Sequence, residues 1–209
     1  MLLSVVIPTY NEAEGIGRFH FNHLLPAIKS AAKKYEIIYV NDGSSDLTLS
    51  ILDSIAETSP QIKVVNLSRN FGKEIATTAG IYEATGDAII ILDSDGQHPP
   101  EIFPEFIKLW KTGAQVVVGV RNSNQSEGVV KNYGSKLFYK LFNTFSESTI
   151  VPRSTDYRLI DRAVQEEFKK FDERQRITRG LIDWLGFDRE YIYFDSPARL
   201  AGEASYSTT

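Results

Sequence analysis

Five short runs rich in Val and Ile constrain the fold most strongly: Leu3–Pro8, Glu36–Asn41, Ile62–Leu67, Asp87–Leu92 and Gln115–Val120. Their apolar character is near-continuous rather than alternating, which fits strands buried on both faces. Such strands belong to a parallel sheet covered by helices on either side. Between them Leu47, Ile51 and Ile55 recur at i, i+4, i+8, and Ile102, Phe106 and Leu109 follow the same logic. Ser45 and Asp46 offer N-caps to the first of these helices, and Pro99 and Pro100 suit the first turn of the second. With 209 residues the chain can build one α/β domain with a sizeable core, or at most two small domains.

Beyond Val120 the character changes. Asn122–Gly128 is polar and predicts a mobile loop, followed by a helix with an aromatic stripe of Leu137, Phe138, Leu141, Phe142 and Phe145. Thr144–Thr155 predicts another loop, Asp161–Phe171 and Glu173–Leu185 two helices, and Tyr191–Asp195 a last strand before the tail Arg199–Thr209. No internal repeat is visible. No apolar run approaches the roughly 20 residues that span a bilayer, and Leu2–Ile7 lacks the basic flank and length of a signal peptide. A cytosolic chain is expected. The 23 Lys and Arg against 27 Asp and Glu give a net charge of -4, which excludes nucleic-acid binding by bulk attraction. Zero cysteines exclude disulfides, thiolate metal sites and a Cys nucleophile.

Three polar clusters end apolar runs. Asp93-Ser94-Asp95-Gly96-Gln97-His98 follows the most apolar run and sets two carboxylates one residue apart, where open α/β sheets bind ligands. Oxygen donors of this kind favour Mg²⁺ or Mn²⁺, which would bridge a diphosphate. The same aspartates also suit a turn that caps the next helix. Asn41-Asp42-Gly43-Ser44-Ser45-Asp46 fits an acid that accepts from a base N–H, and equally an ordinary strand–turn–helix junction. Pro8-Thr9-Tyr10-Asn11-Glu12 offers Tyr10 to stack on a base and Glu12 to bond it, or is simply a loop before a helix. A parallel sheet would gather all three on one rim. No G-x-G-x-x-G or G-x-x-x-x-G-K-[ST] fingerprint is present, which disfavours dinucleotide oxidoreductases and P-loop enzymes. His20, His23 and His98 have no metal-ligand spacing, and His98 is expected at the start of a helix.

Together with Asn70-Phe71-Gly72-Lys73, these clusters resemble the family 2 glycosyltransferases, and within them the polyprenyl-phosphate group that includes dolichyl-phosphate mannose synthase and bactoprenol glucosyltransferases. The resemblance covers essentially the whole chain. It implies a single GT-A domain: a mostly parallel central sheet flanked by helices, with residues 1–120 as a nucleotide-sugar half and 121–209 as a helical acceptor half. It implies nucleotide-sugar contacts at Pro8, Tyr10, Glu12, Val40, Asp42, Lys73, Asp93, Ser94 and Arg199, and a Mg²⁺ or Mn²⁺ site at Asp93, Asp95 and Gln97. Arg121, Lys131 and Ser135 match the family's site for phosphate groups. Two departures stand out: Asn41 replaces one of two usual acids, and Ala204-Ser205 replaces a common Ser-Lys pair.

The implied reaction is inverting transfer of a hexose from a nucleotide diphosphate, UDP-glucose by the resemblance around Asp156–Arg162, to a polyprenyl phosphate. Asp95, Arg121 and Asp156 are the expected catalytic residues: a metal held by Asp95 and Asp93 stabilises the leaving group, and Asp156 is general base or sugar-orienting acid. Arg121 with Lys131, Ser135, Arg158 and Arg176 receives the acceptor phosphate, and Arg153 and Arg179 are further candidates for it. Members of the group commonly continue into membrane spans, so the full-length protein is expected at the cytoplasmic face of a membrane, with this chain soluble and a homo-oligomer left open. The alternatives are transfer to a saccharide or protein hydroxyl, and a non-catalytic nucleotide-sugar-binding domain.

Overall fold

The computed structural model describes residues 1–122, 153–171 and 177–200. Seven strands, β1 (Leu2–Thr9), β2 (Lys34–Asn41), β3 (Ile62–Asn66), β4 (Ala88–Ile91), β5 (Val116–Arg121), β6 (Ser154–Asp161) and β7 (Arg189–Phe194), join in one sheet in the order β3-β2-β1-β4-β6-β5-β7. Six run parallel to one another, and β6 runs antiparallel between β4 and β5. Each of the five apolar runs is a strand.

Helices cover both faces. On one side, Leu3, Val5, Ile7, Ile37 and Tyr39 meet a helical run that begins as α1 (Ile16–Arg18), passes through a π-helical segment (Phe19–Leu24) and ends as α2 (Leu25–Ala31). The same face packs α3 (Thr48–Glu57) and α5 (Phe103–Lys111), the latter entered through a 3-10 turn at Pro100–Ile102 as its prolines predict. On the other side, Val6, Ile38, Val40 and Ile89 pack against α4 (Lys73–Glu83), α6 (Arg162–Phe168) and α7 (Thr178–Trp184). Alternate residues of one strand thus enter opposite cores, which is why the runs are apolar without a break.

Several expectations need correction. Ser154–Asp161 is a strand, where the sequence suggested the end of a loop and the start of a helix. A helix after the first loop was expected without bounds and runs over 16–31; the one at 73–83 was not anticipated. The core face of α3 is Thr48, Leu52 and Ile55; Leu47 is its N-cap and its side chain is exposed. Asp46 acts from one residue earlier, accepting from the Thr48 amide. The Asp161–Phe171 helix shortens to α6, with Asp161 as its N-cap accepting from the Ala163 amide. The aromatic stripe Leu137–Phe145 lies outside the described residues, as does most of the loop before it. No helix among the described residues is long and apolar enough to cross a membrane.

Candidate active site

The strand order places β1 between β2 and β4, so the chain leaves β1, β2 and β4 at one edge of the sheet, beside the crevice where such sheets bind ligands. The first two loops are sewn together there. Asn11, at φ 51, donates its amide to Ser44 Oγ (3.0 Å) and accepts from the Ser45 amide (2.9 Å). The Glu12 amide donates to Thr48 Oγ1 (2.8 Å), and the Asp42 amide to the Thr9 carbonyl (2.9 Å). Ser94 Oγ reaches the Pro8 carbonyl at 3.4 Å, which ties in the third loop. Pro8, Tyr10, Glu12, Val40, Asp42, Asp93, Ser94 and Asp95 therefore share one rim, as the sequence predicts.

Asp42 serves a different immediate purpose from the one expected. It is fully buried, and its two carboxylate oxygens accept from the Phe71 amide (2.8 Å) and the Gly72 amide (3.0 Å). Gly43 lets the loops after β2 and β3 approach: a Cβ there would lie 2.2 Å from the Arg69 carbonyl carbon, and its φ of +63 is left-handed. The second motif thus pins the segment that leads into Lys73. Lys73 Nζ then bridges Asp93 Oδ1 (2.6 Å) and Asp156 Oδ2 (2.8 Å), joining residues from α4, the β4 loop and β6. Burial alone would lower the lysine's pKa; the two carboxylates outweigh it and hold the pKa above its ordinary value. Burial likewise raises Asp156, but Lys73, with Arg158 and Arg179 nearby, overcomes it and keeps Asp156 below the usual carboxylate range.

The loop after β4 turns its acids in different directions. Asp95 accepts from the Gln97 amide through Oδ1 (2.9 Å) and from Arg199 through Oδ2 (2.9 Å). Arg199 also lies 3.6 Å from Glu12. It arrives on a strap: the Leu200 amide donates to the Asp95 carbonyl, the Leu200 carbonyl accepts from Arg18, and Ser196 Oγ donates to the Gln97 carbonyl. Burial pushes Glu12 up to about 7; Arg199 opposes the shift and Asp95, Asp46 and Asp93 reinforce it. Among the described residues, no three His, Cys, Asp or Glu side chains converge as a metal cage. His98 is buried rather than merely opening a helix. Its Nδ1 accepts from the Asp93 amide (3.1 Å) and its ring stacks on Tyr157. That nitrogen also lies 3.7 Å from the Asp93 carboxylate, but while it accepts from an amide it has no proton to form an ion pair. Burial lowers the His98 pKa, consistent with a neutral ring.

Beside this rim opens a cleft of about 430 Å³, lined by Asp93, His98, Arg121, Arg153, Asp156 and Arg179 among others. Arg121 donates to Gln97 Oε1 at 3.2 Å. Arg158, expected at an acceptor phosphate, does not line the cleft. It is 1% exposed, and its guanidinium donates to the Thr155 carbonyl (3.2 Å), the Arg179 carbonyl (3.4 Å) and Asp183 (3.4 Å). Its direct neighbours in sequence gave no sign of this, because the strand that buries it was not foreseen. Lys131, Ser135 and Arg176 lie outside the described residues.

Residues 4–168 match the family model described as Glycosyl transferase family 2. The chain belongs to that family. An uncharacterized glycosyltransferase of Synechocystis is 42% identical over 98% of this chain, and the chain spans 64% of that relative's length. A bactoprenol glucosyl transferase of Shigella phage SfX is 35% identical over 99% of this chain and 68% of the relative. Glucosyl-3-phosphoglycerate synthase from Mycobacterium tuberculosis, solved with Mn²⁺, UDP and phosphoglyceric acid, superposes with a TM-score of 0.64 at 20% identity, over 97% of this chain and 72% of that one. The family 2 chain therefore has the GT-A architecture, and its three rim motifs lie within the matched region.

Proposed function

We propose that the protein transfers a hexose, glucose from UDP-glucose first among candidates, to a polyprenyl phosphate with inversion at the anomeric carbon. Residues 1–120 hold the donor and later residues the acceptor. The similarity to relatives named bactoprenol glucosyl transferases supports the acceptor class, and the GT-A neighbour solved with UDP and Mn²⁺ supports the donor.

The observation that carries this reading is the ion pair of Asp156 with Lys73 at 2.8 Å. A hydroxyl acceptor must lose a proton as it attacks, and a general base works best with a pKa near the working pH. Lys73 holds Asp156 well away from that condition. A phosphomonoester has its second pKa near about 6 and is largely dianionic at neutral pH, so it needs no base. An ionised Asp156 instead orients the sugar and stabilises positive charge on an oxocarbenium-like transition state. The acceptor oxygen forms the new bond to the anomeric carbon. The bond to the diphosphate breaks on the opposite side, and its electron pair leaves with the nucleoside diphosphate.

The residues fit a divalent cation. Asp95, nearly buried, already holds a cationic guanidinium, Glu12 lies against the same group, and the donor set is oxygen only. Of the expected set Asp93, Asp95 and Gln97, Asp95 would hold Mg²⁺ or Mn²⁺ together with the donor's own oxygens, since Asp93 is turned to Lys73 and Gln97 Oε1 to Arg121; the ion would neutralise charge on the leaving diphosphate. Tyr10, Val40 and the segment pinned by Asp42 form the nucleoside side, Arg199 closes from the strap, and Arg121 faces the transferred group. A lipid acceptor places the enzyme at the cytoplasmic face of a membrane.

The test is incorporation of labelled glucose from UDP-glucose into an organic-extractable product with a polyprenyl phosphate and MnCl₂ or MgCl₂. Wild type should form it, and EDTA should abolish it. Asp156→Asn should lower kcat about 100-fold, by the same factor from pH 6 to 8, as expected for lost electrostatic stabilisation. A loss that vanishes at high pH, or labelling of saccharide or protein hydroxyls with the lipid inert, overturns the reading.

A further inference from the structure

Resting on the transferase reading above, we infer that Lys73, expected at the nucleotide sugar, acts on the reaction through Asp156, as a positioning residue anchored by Asp42. Asp156 lines the cleft and Lys73 does not. Lys73 stands behind it, in a gap lined also by Thr77, Ile91, Arg158 and Thr178. Among the described residues, its ammonium is the one hydrogen-bond partner of the Asp156 carboxylate, at 2.8 Å. The backbone around Asp156 is fixed by other means. Thr155 Oγ1 donates to the Gly119 carbonyl (2.8 Å), and the buried Arg158 guanidinium donates to the Thr155 carbonyl (3.2 Å). What the strand leaves open is the direction of the carboxylate. A carboxylate that has lost much of its hydration turns to a cation that offsets the loss, and Lys73 is the one within hydrogen-bond reach.

Lys73 can aim Asp156 only if its own backbone stays in place, and Asp42 holds it there. Lys73 opens α4, and the two amides before it, of Phe71 and Gly72, donate to the buried Asp42 carboxylate at 2.8 and 3.0 Å. Such charge-assisted bonds are roughly twice as strong as neutral ones. Gly72 adopts φ +98, so the turn these bonds enforce is one that a residue with a side chain would resist. On the other side of Lys73, Glu74 Oε2 accepts from the Thr178 amide (2.7 Å), which ties the first turn of α4 to α7. The Asn41–Asp46 motif therefore reaches the cleft through two amides and one ammonium, although Asp42 itself does not line it. Asp93 shares the ammonium at 2.6 Å and offers a competing route to the reaction.

The test is a set of double-mutant cycles on kcat and the UDP-glucose KM, measured with the full-length protein, a polyprenyl phosphate and MnCl₂. Lys73→Gln should lower kcat about 30-fold and leave the KM within about twofold. Asp156→Asn should absorb nearly all of that. The double variant should lose about 100-fold, as Asp156→Asn does alone, rather than the product of about 3000-fold. In an Asp93→Asn background Lys73→Gln should keep most of its cost. Asp42→Asn offers one acceptor oxygen in place of two, and its kcat loss of about fivefold should likewise vanish in the Asp156→Asn background. Multiplicative losses, a raised KM with kcat kept, or absorption of the Lys73→Gln cost by Asp93→Asn overturn the inference, and an Asp42→Asn loss that persists removes the anchor. Urea denaturation of the Lys73 and Asp156 cycle should show non-additive losses whether or not the protein transfers sugar, so the two readings fail separately. Wild type that makes lipid-linked sugar with multiplicative kcat losses sinks the positioning role alone. Wild type that makes none, with Lys73 and Asp156 still coupled in urea, sinks the transferase reading and leaves the placement standing.

Discussion

Lys73 is the residue on which the two sides of the site depend, since its single ammonium pairs with both Asp93 of the loop after β4 and Asp156 of the cleft, at 2.6 and 2.8 Å. Glu12 shows the opposite situation. Burial first, and the nearby carboxylates after it, raise its pKa, and Arg199, 3.6 Å away, does not offset them. Its folded pKa of about 7 exceeds the 4.5 of a free glutamate, so between those values the native state holds a proton that the unfolded chain has released. Stability therefore falls as pH rises through that window. Urea denaturation of wild type and Glu12→Gln should show wild type losing stability relative to the variant from pH 5 to 7.5; parallel curves would refute the shift. The carboxylates at 93 and 95 were legible in sequence because they sit together after an apolar run. Their coupling to Asp156 was not, because Lys73 and Asp156 are 83 residues apart and only the sheet brings them together. Asp42 and the Asn70–Lys73 motif were each legible as important, but their pairing was not, because Phe71 and Gly72 lie 29 and 30 residues beyond Asp42 with α3 and β3 between.

At the level of elements, legibility followed the length of the apolar run rather than burial. The first five strands announce themselves by their Val and Ile, whereas β6 begins Ser-Thr-Asp and carries a buried Arg158, so that its buried half, Tyr157–Ile160, shows no unbroken apolar run. It is held by antiparallel pairing to β4 and β5, an interaction that leaves no trace in its own residues. The helix α4 was hidden for a related reason. Its inner face includes Ala76, Thr77 and Gly80, small residues that let the helix lie close on β1 and β2 rather than a stripe of large ones. That closeness makes a sharp prediction. A Cβ at Gly80 would lie 2.3 Å from Val6 Cγ1 and 3.0 Å from Val40 Cγ2, both on stiff, buried side chains. Gly80→Ala gains about 1 kcal/mol in helix propensity but should still destabilise by about 1–2 kcal/mol net, because overpacking outweighs it. Val6→Ala in the same chain should recover part of that loss, and simple additivity of the two changes in chemical denaturation would contradict the contact.

For the whole molecule, the site is a meeting of parts that have little else in common: loops from the middle of the sheet, a strand inserted against its neighbours' direction, and a strap from residues 196–200 that latches on Asp95, Gln97 and Arg18. A ligand at the rim contacts several of these at once, and all of them exist only in the folded state. Binding must therefore appear as stability of the entire domain. On the proposed reading the cation and the diphosphate would help each other, because a divalent ion held near Asp95 would supply the charge that a diphosphate needs. At 100 times its dissociation constant, UDP-glucose with Mn²⁺ should stabilise the fold by about 2.7 kcal/mol. For a domain of this size that corresponds to a rise in Tm of roughly 5–10 °C. UDP-glucose with EDTA, and Mn²⁺ alone, should each give a smaller rise than the pair, and GDP-mannose a smaller rise than UDP-glucose. Equal shifts with and without the cation would mean that the diphosphate is held by the protein's own side chains, and would remove the metal from the mechanism.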